Sequence, residues 1–130
     1  MNSATSLEIP KARWREFFES LGKDYWGWAV TVEVLNVPLG DQPAVSGLPF
    51  QGISYEVAGS QAGDILIEAG DAGTPFETHL VHRPRVVRVA ATQPGAEADV
   101  EIEDEDGFTT IIRLRPRPEL PPPRFAKNQG

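Results

Sequence analysis

Only two histidines occur in this 130-residue chain, His79 and His82, three positions apart in the stretch "HLVHRP". Imidazole is the side chain whose ordinary pKa lies near neutral pH, so the pair could bind a metal or move a proton. Metal ligands three apart converge on a helix, but strand side chains alternate, and residues three apart on a strand face opposite sides. If 76–82 is a strand, His79 is in step with Glu77 and Val81, and His82 with Phe76, Thr78 and Leu80. The two histidines are then expected to share no metal. The favoured reading makes them structural or surface residues; the alternative gives one of them a proton-transfer role. Pro84, which has no N–H to donate, predicts that the strand ends, bends or lies at an edge there.

Other chemistry-bearing residues are fewer still. The acidic run Glu97, Asp99, Glu101, Glu103, Asp104, Glu105 and Asp106 fails the calcium-loop pattern, because Ile102 and Arg113 stand where the first and last carboxylates are needed. On an antiparallel meander, Asp99, Glu101 and Glu103 would lie between a strand carrying Arg85 and Arg88 and one carrying Arg113 and Arg115. Opposite charges across strands stabilise by about 0.2–1 kcal/mol each. No Walker loop, dinucleotide-binding glycine fingerprint, nucleophile elbow or HExxH occurs. "AGSQAG" (58–63) has the composition of a phosphate loop but reads as a hairpin turn, since no helix follows it. A triad built from distant residues, such as Ser54 with a histidine and an acid, would be defined by geometry that spacing does not reveal. In the C-terminal stretch, Arg115, Pro118 and Pro121 match the Arg-x-x-Pro-x-x-Pro form that aromatic grooves recognise, against a default of a plain solubilising tail.

The elements that must position these residues can be read from periodicity. Trp14, Phe17, Phe18 and Leu21 fall at i, i+3, i+4 and i+7 and predict a helix over about 10–21, with Pro10 in its first turn and Gly22 ending it. "WGWAVTVEVLN" alternates, which puts Trp26, Trp28, Val30, Val32 and Val34 on one buried face and leaves Tyr25 more exposed. Further strand-like runs are "ISYEVAG", "DILIEAG", "ETHLVH", "RVVRVAAT", "ADVEIED" and "FTTIIRLRP". Short links favour an antiparallel meander. "DEDG" closes the clearest hairpin, with Gly107 supplying positive φ. The Pro- and Gly-rich segment 37–49 reads as a long loop. From Pro116 on, repeated prolines favour an extended polyproline conformation and prevent further sheet pairing.

Composition narrows the function classes. A net charge of −7 and a pI near 4.8 oppose a nucleic-acid backbone as main partner. No apolar run reaches the roughly 18 residues a membrane span needs, and the N-terminus has neither a basic start nor an apolar h-region, so a cytoplasmic protein is expected. The absence of cysteine removes disulfides, thiolate zinc sites and a cysteine nucleophile.

Taken together, Ile9, Pro10, Trp14 and Phe17, the "GW" and "VEV" of the first strand, "LPFQGIS", "HLVHRPRVVRV" and "EIEDEDGFTTIIRLR" make residues 8–115 resemble a family of small bacterial proteins of unknown function. The resemblance implies a bacterial, cytoplasmic origin and carries no activity, cofactor or catalytic residue. The expected architecture is α+β: a leader (1–7), one domain (8–115) with an amphipathic helix on a curled, mainly antiparallel sheet of six or seven strands, with a partly closed barrel as the alternative, and a Pro-rich disordered tail (116–130). The expected function is a non-catalytic protein-interaction or regulatory module with a protein partner or a second copy, without cofactor or metal. The rival is a small enzyme or small-molecule sensor using His79 or His82 near the 37–49 loop.

Overall fold

The computed structural model describes residues 6–36, 40–91 and 96–116. In chain order these form β1 (Ser6–Glu8), a 3-10 turn (Lys11–Arg13), α1 (Trp14–Asp24), β2 (Ala29–Asn36), β3 (Gly40–Tyr55), β4 (Ile65–Ala69), β5 (Glu77–Val81), β6 (Pro84–Ala91), β7 (Ala98–Asp104) and β8 (Thr109–Arg115). The fold is α+β, one helix on a sheet of eight strands rather than six or seven. Its order is β1-β6-β7-β8-β2-β3-β4-β5, with every pairing antiparallel. The sheet is open, with β1 and β5 as its edges.

The added strands have physical reasons. β1 begins inside the stretch expected to be a leader, and residues 1–5 of that stretch lie outside the described residues. β3 occupies most of the segment expected to be a loop. Among the described residues, its residues 40–49 pair only with β2, so the ladder there is open on their other side, and Pro43 sits where the register with β2 shifts. A proline is tolerated at such an edge or bulge. Residues 37–39 of the expected loop lie outside the described residues. From Phe50 onward β3 pairs with β4 instead, so one long strand joins two sets of ladders.

Side chains from both sets and from α1 meet in one core. Trp14, Phe18 and Leu21 supply the inward stripe of the helix, while Phe17 is half-buried. The Trp14 indole donates to the Ile9 carbonyl (2.9 Å) and meets Tyr55 of β3 edge-to-face at 5.2 Å. The helix runs past Gly22, whose position would place a Cβ 3.9 Å from the Gly52 backbone of β3. Gly22 is therefore not the stop signal, and a Cβ there would make only an ordinary contact. The helix ends at Asp24 with Tyr25 as its C-cap, and Gly27 (φ 85°) takes the left-handed turn. Because the alternating strand starts only at Ala29, the expected order of the aromatics reverses. Tyr25 is buried and donates its hydroxyl to the Ala96 carbonyl (2.6 Å), and Trp26 is 63% exposed.

The charged ladder on the outer face follows the expected layout. Arg88 bonds Glu103 (2.6 Å) and lies 3.7 Å from Glu101, Arg85 bonds Glu103 (3.3 Å), and Arg115 lies 2.9 Å from Asp99. Arg113 reaches across to Glu33 of β2 (2.5 Å). The Arg88 hydrogen bond holds the Glu103 carboxyl below its ordinary pKa. These residues serve the sheet.

Candidate functional site

β5 ends at Val81, so His82 lies beyond the strand and the alternation rule stops applying to it. Arg83 follows with φ 53°, a left-handed conformation uncommon for a residue with a side chain, and swings the chain from one edge of the sheet to β6 near the other. Asp64, only 4% exposed, braces this corner. Its Oδ1 accepts the Arg83 backbone N–H (3.1 Å) and lies 3.0 Å from His82 Nδ1. A carboxylate at Nδ1 favours the proton there, which leaves Nε2 of His82 as the open acceptor.

The expectation that the two histidines face apart applies to strand residues, and His82 lies just beyond β5. His79, opposite Ile67 on β4 and on the face of buried Val81, borders the core. Both histidines line one shallow hollow of about 260 Å³ with Val34, Asp104, Asp106 and Phe108. Burial pushes the His79 imidazole below its ordinary pKa, because desolvation disfavours the charged form.

Most polar groups of the hollow are already engaged. Asp104 Oδ1 accepts the backbone N–H groups of Asp106 (2.9 Å) and Phe108 (3.0 Å), fixing the β7–β8 turn in which Gly107 has φ 90°. The Arg83 carbonyl accepts the Glu105 N–H (3.1 Å), and the Arg83 guanidinium bonds Asp106 (3.1 Å). The corner is thus clipped to the hairpin. Thr110, the one hydroxyl residue lining the hollow, is buried. Ser54 sits in a separate depression with Arg15 and Tyr55, where it bonds Glu56. Among the described residues no group of three or more His, Asp or Glu side chains is placed to hold a metal ion.

A larger concavity, about 770 Å³, runs between α1 and β1. Leu7, Ile9, Pro10 and Phe17 give it an apolar lining, and Glu8, Arg13, Glu16 and Ser20 are its polar residues. Arg13 and Glu16 pair with each other at 2.8 Å. Leu7 is 61% exposed beside this lining. β1 pairs with β6 on one side and, among the described residues, with no strand on the other. Periodicity could not have found this site, because a three-residue strand offers too few positions to define a period.

The remaining expected residues are placed as follows. The Arg115 guanidinium is engaged, donating to the carbonyls of Leu114 (3.0 Å) and Ala98 (3.3 Å) and lying 3.6 Å from Glu97. Pro118 and Pro121 lie outside the described residues. No described helix is long and apolar enough to cross a membrane.

A single amphipathic helix on an open, eight-stranded antiparallel sheet defines a small α+β domain with no recognisable catalytic centre among its described residues. The chain belongs to a family of unknown function, DUF5335, whose model matches residues 5–123. It is also similar to an uncharacterised protein of Aquifex aeolicus, with 30% identity over 113 residues, 87% of this chain and 95% of that protein. No solved structure matches the fold.

Proposed function

We propose that this protein is a non-catalytic protein-interaction module that receives an extended segment of a partner along β1 and the groove beside α1. The carrying observation is the coincidence of a strand edge unpaired among the described residues with an exposed leucine and an apolar groove of about 770 Å³. An open edge offers backbone hydrogen bonds to an incoming strand, and adjacent apolar pockets select its side chains. A photo-crosslinking residue at position 7, introduced in native host cells, should yield a defined partner adduct. The same residue at position 77 on the other edge should yield none. Equal adducts from both edges would sink the reading.

A second reading, a small enzyme or small-molecule sensor, is favoured by one observation: both imidazoles line one hollow, with Nε2 of His82 unengaged by Asp64. It predicts a ligand that raises the melting temperature of the wild type and not of His82→Ala.

A further inference from the structure

β5 forms the edge of the sheet opposite β1. We propose that β5 is the interface of a two-fold dimer, in which it lies antiparallel to the β5 of a second copy with Thr78 on the axis. This goes beyond the interaction function proposed above and does not depend on it. The Gly70 N–H donates to the Pro49 carbonyl (2.7 Å) and the Glu56 N–H to the Asp64 carbonyl (2.8 Å). Even-numbered residues along β4 therefore turn their backbone groups to β3, while Ile65, Ile67 and Ala69 turn theirs to β5. Their partners on β5 are Val81, His79 and Glu77. That leaves the N–H and C=O groups of Phe76, Thr78 and Leu80 pointing away from β4, and among the described residues no strand meets them.

A second copy fits this edge because the edge is its own complement. With Thr78 on the axis, Thr78 pairs with Thr78 and Phe76 of each copy pairs with Leu80 of the other, so every outward N–H meets an outward C=O. Moving the axis to His79 would set Phe76 against His82, where the chain already turns at Arg83 (φ 53°). Moving it to Glu77 would set Leu80 against Thr74, whose N–H is held by the Asp71 carbonyl in the preceding turn. Phe76 is 70% exposed, the most exposed large apolar side chain among the described residues, and the Thr78 axis covers it at Leu80, which neighbours Leu66. Leu80 lines the hollow of about 260 Å³ with Val34 and Phe108, so each Phe76 ring arrives at the rim of the other copy's hollow. That hollow is small for a drug-sized ligand and suits a single side chain. On the opposite face, Glu77 of one copy falls against His79 of the other, a carboxylate facing a ring that can donate. The edge is also unguarded: residues 76–81 contain no lysine, no proline and no register shift, whereas the open stretch of β3 carries Pro43 and two shifts.

Sedimentation of the full chain tests this. Between about 1 and 500 μM, the range that suits a small interface, its mass should rise from 14.2 kDa toward twice that value. Phe76→Asp should stay monomeric throughout with an unchanged melting temperature, and Leu7→Asp should associate like wild type. A chain that is monomeric at every concentration, or association untouched by Phe76→Asp, would overturn the dimer. The cysteine-free sequence supplies a second readout. Thr78→Cys sets two thiols across the axis within disulfide reach, since hydrogen-bonded antiparallel pairs have Cα atoms about 5.5 Å apart. Under mild oxidation it should form a covalent dimer at least tenfold faster than Leu7→Cys on the opposite edge, and equal rates would overturn the axis. A photo-crosslinker at position 77 yields in this dimer only a self-adduct of twice the chain's mass, never the partner adduct expected at position 7.

Discussion

The hollow at His79 and His82 and the groove between α1 and β1 are both concave, but their side chains are used differently. In the hollow, Asp64, Asp104 and Arg83 are spent on backbone groups and on each other, locking the β5–β6 corner to the β7–β8 turn. In the groove, Leu7 is exposed and the outer side of β1 has no strand partner among the described residues. The carboxylates and the guanidinium are committed to the fold there, and the apolar groups of the groove are left uncommitted here. Residue type alone would have ranked the two sites in the opposite order.

That contrast can be broken most forcefully at Asp64. Asp64→Ala would leave the part-buried Arg83 N–H without its carboxylate and release His82, so unfolding by denaturant should show a loss of about 1–3 kcal/mol. A change under 0.5 kcal/mol would mean that the corner is not held by this carboxylate.

His79 should give a smaller, pH-limited effect. Its folded pKa lies below the unfolded value of about 6.5, so the unfolded state takes up the proton first. Its contribution is therefore complete above that value and is lost as pH falls through it toward the folded pKa. Wild type should lose stability over that interval relative to His79→Gln; parallel pH profiles would contradict the burial of the ring.

His82→Ala should cost about 1 kcal/mol or less, since His82 is 63% exposed and Asp64 retains the Arg83 N–H. At the small end, Leu7→Asp should leave stability within about 0.5 kcal/mol of wild type, as befits an exposed position. Its effect should appear in partner binding alone, and a large stability loss would show that Leu7 belongs to the core.

How much of this was legible in the sequence depended on local pattern. The inward stripe of α1, the β7–β8 hairpin with Gly107 and the arginine–carboxylate ladder all follow from periods of 3.6 or 2 and from turn chemistry. β3 did not, because its prolines and glycines are permitted by an open ladder and a register shift that only the neighbouring strands define. Tyr25 and Trp26 exchanged roles because the helix ran two residues past Gly22. The shared hollow escaped because the strand stops one residue before His82. The groove depends on a strand too short to have a period, docked far along the chain on β6.

The central claim, that function lies with the groove and not with the histidines, is tested most directly by partner recovery. The full-length tagged protein should be purified from its native host as wild type, as Leu7→Asp, and as the double variant His79→Ala with His82→Ala, and the partner that forms the position-7 adduct quantified. Leu7→Asp should reduce that partner at least tenfold while the double-histidine variant retains it. Retention by Leu7→Asp together with loss in the double variant would contradict the account.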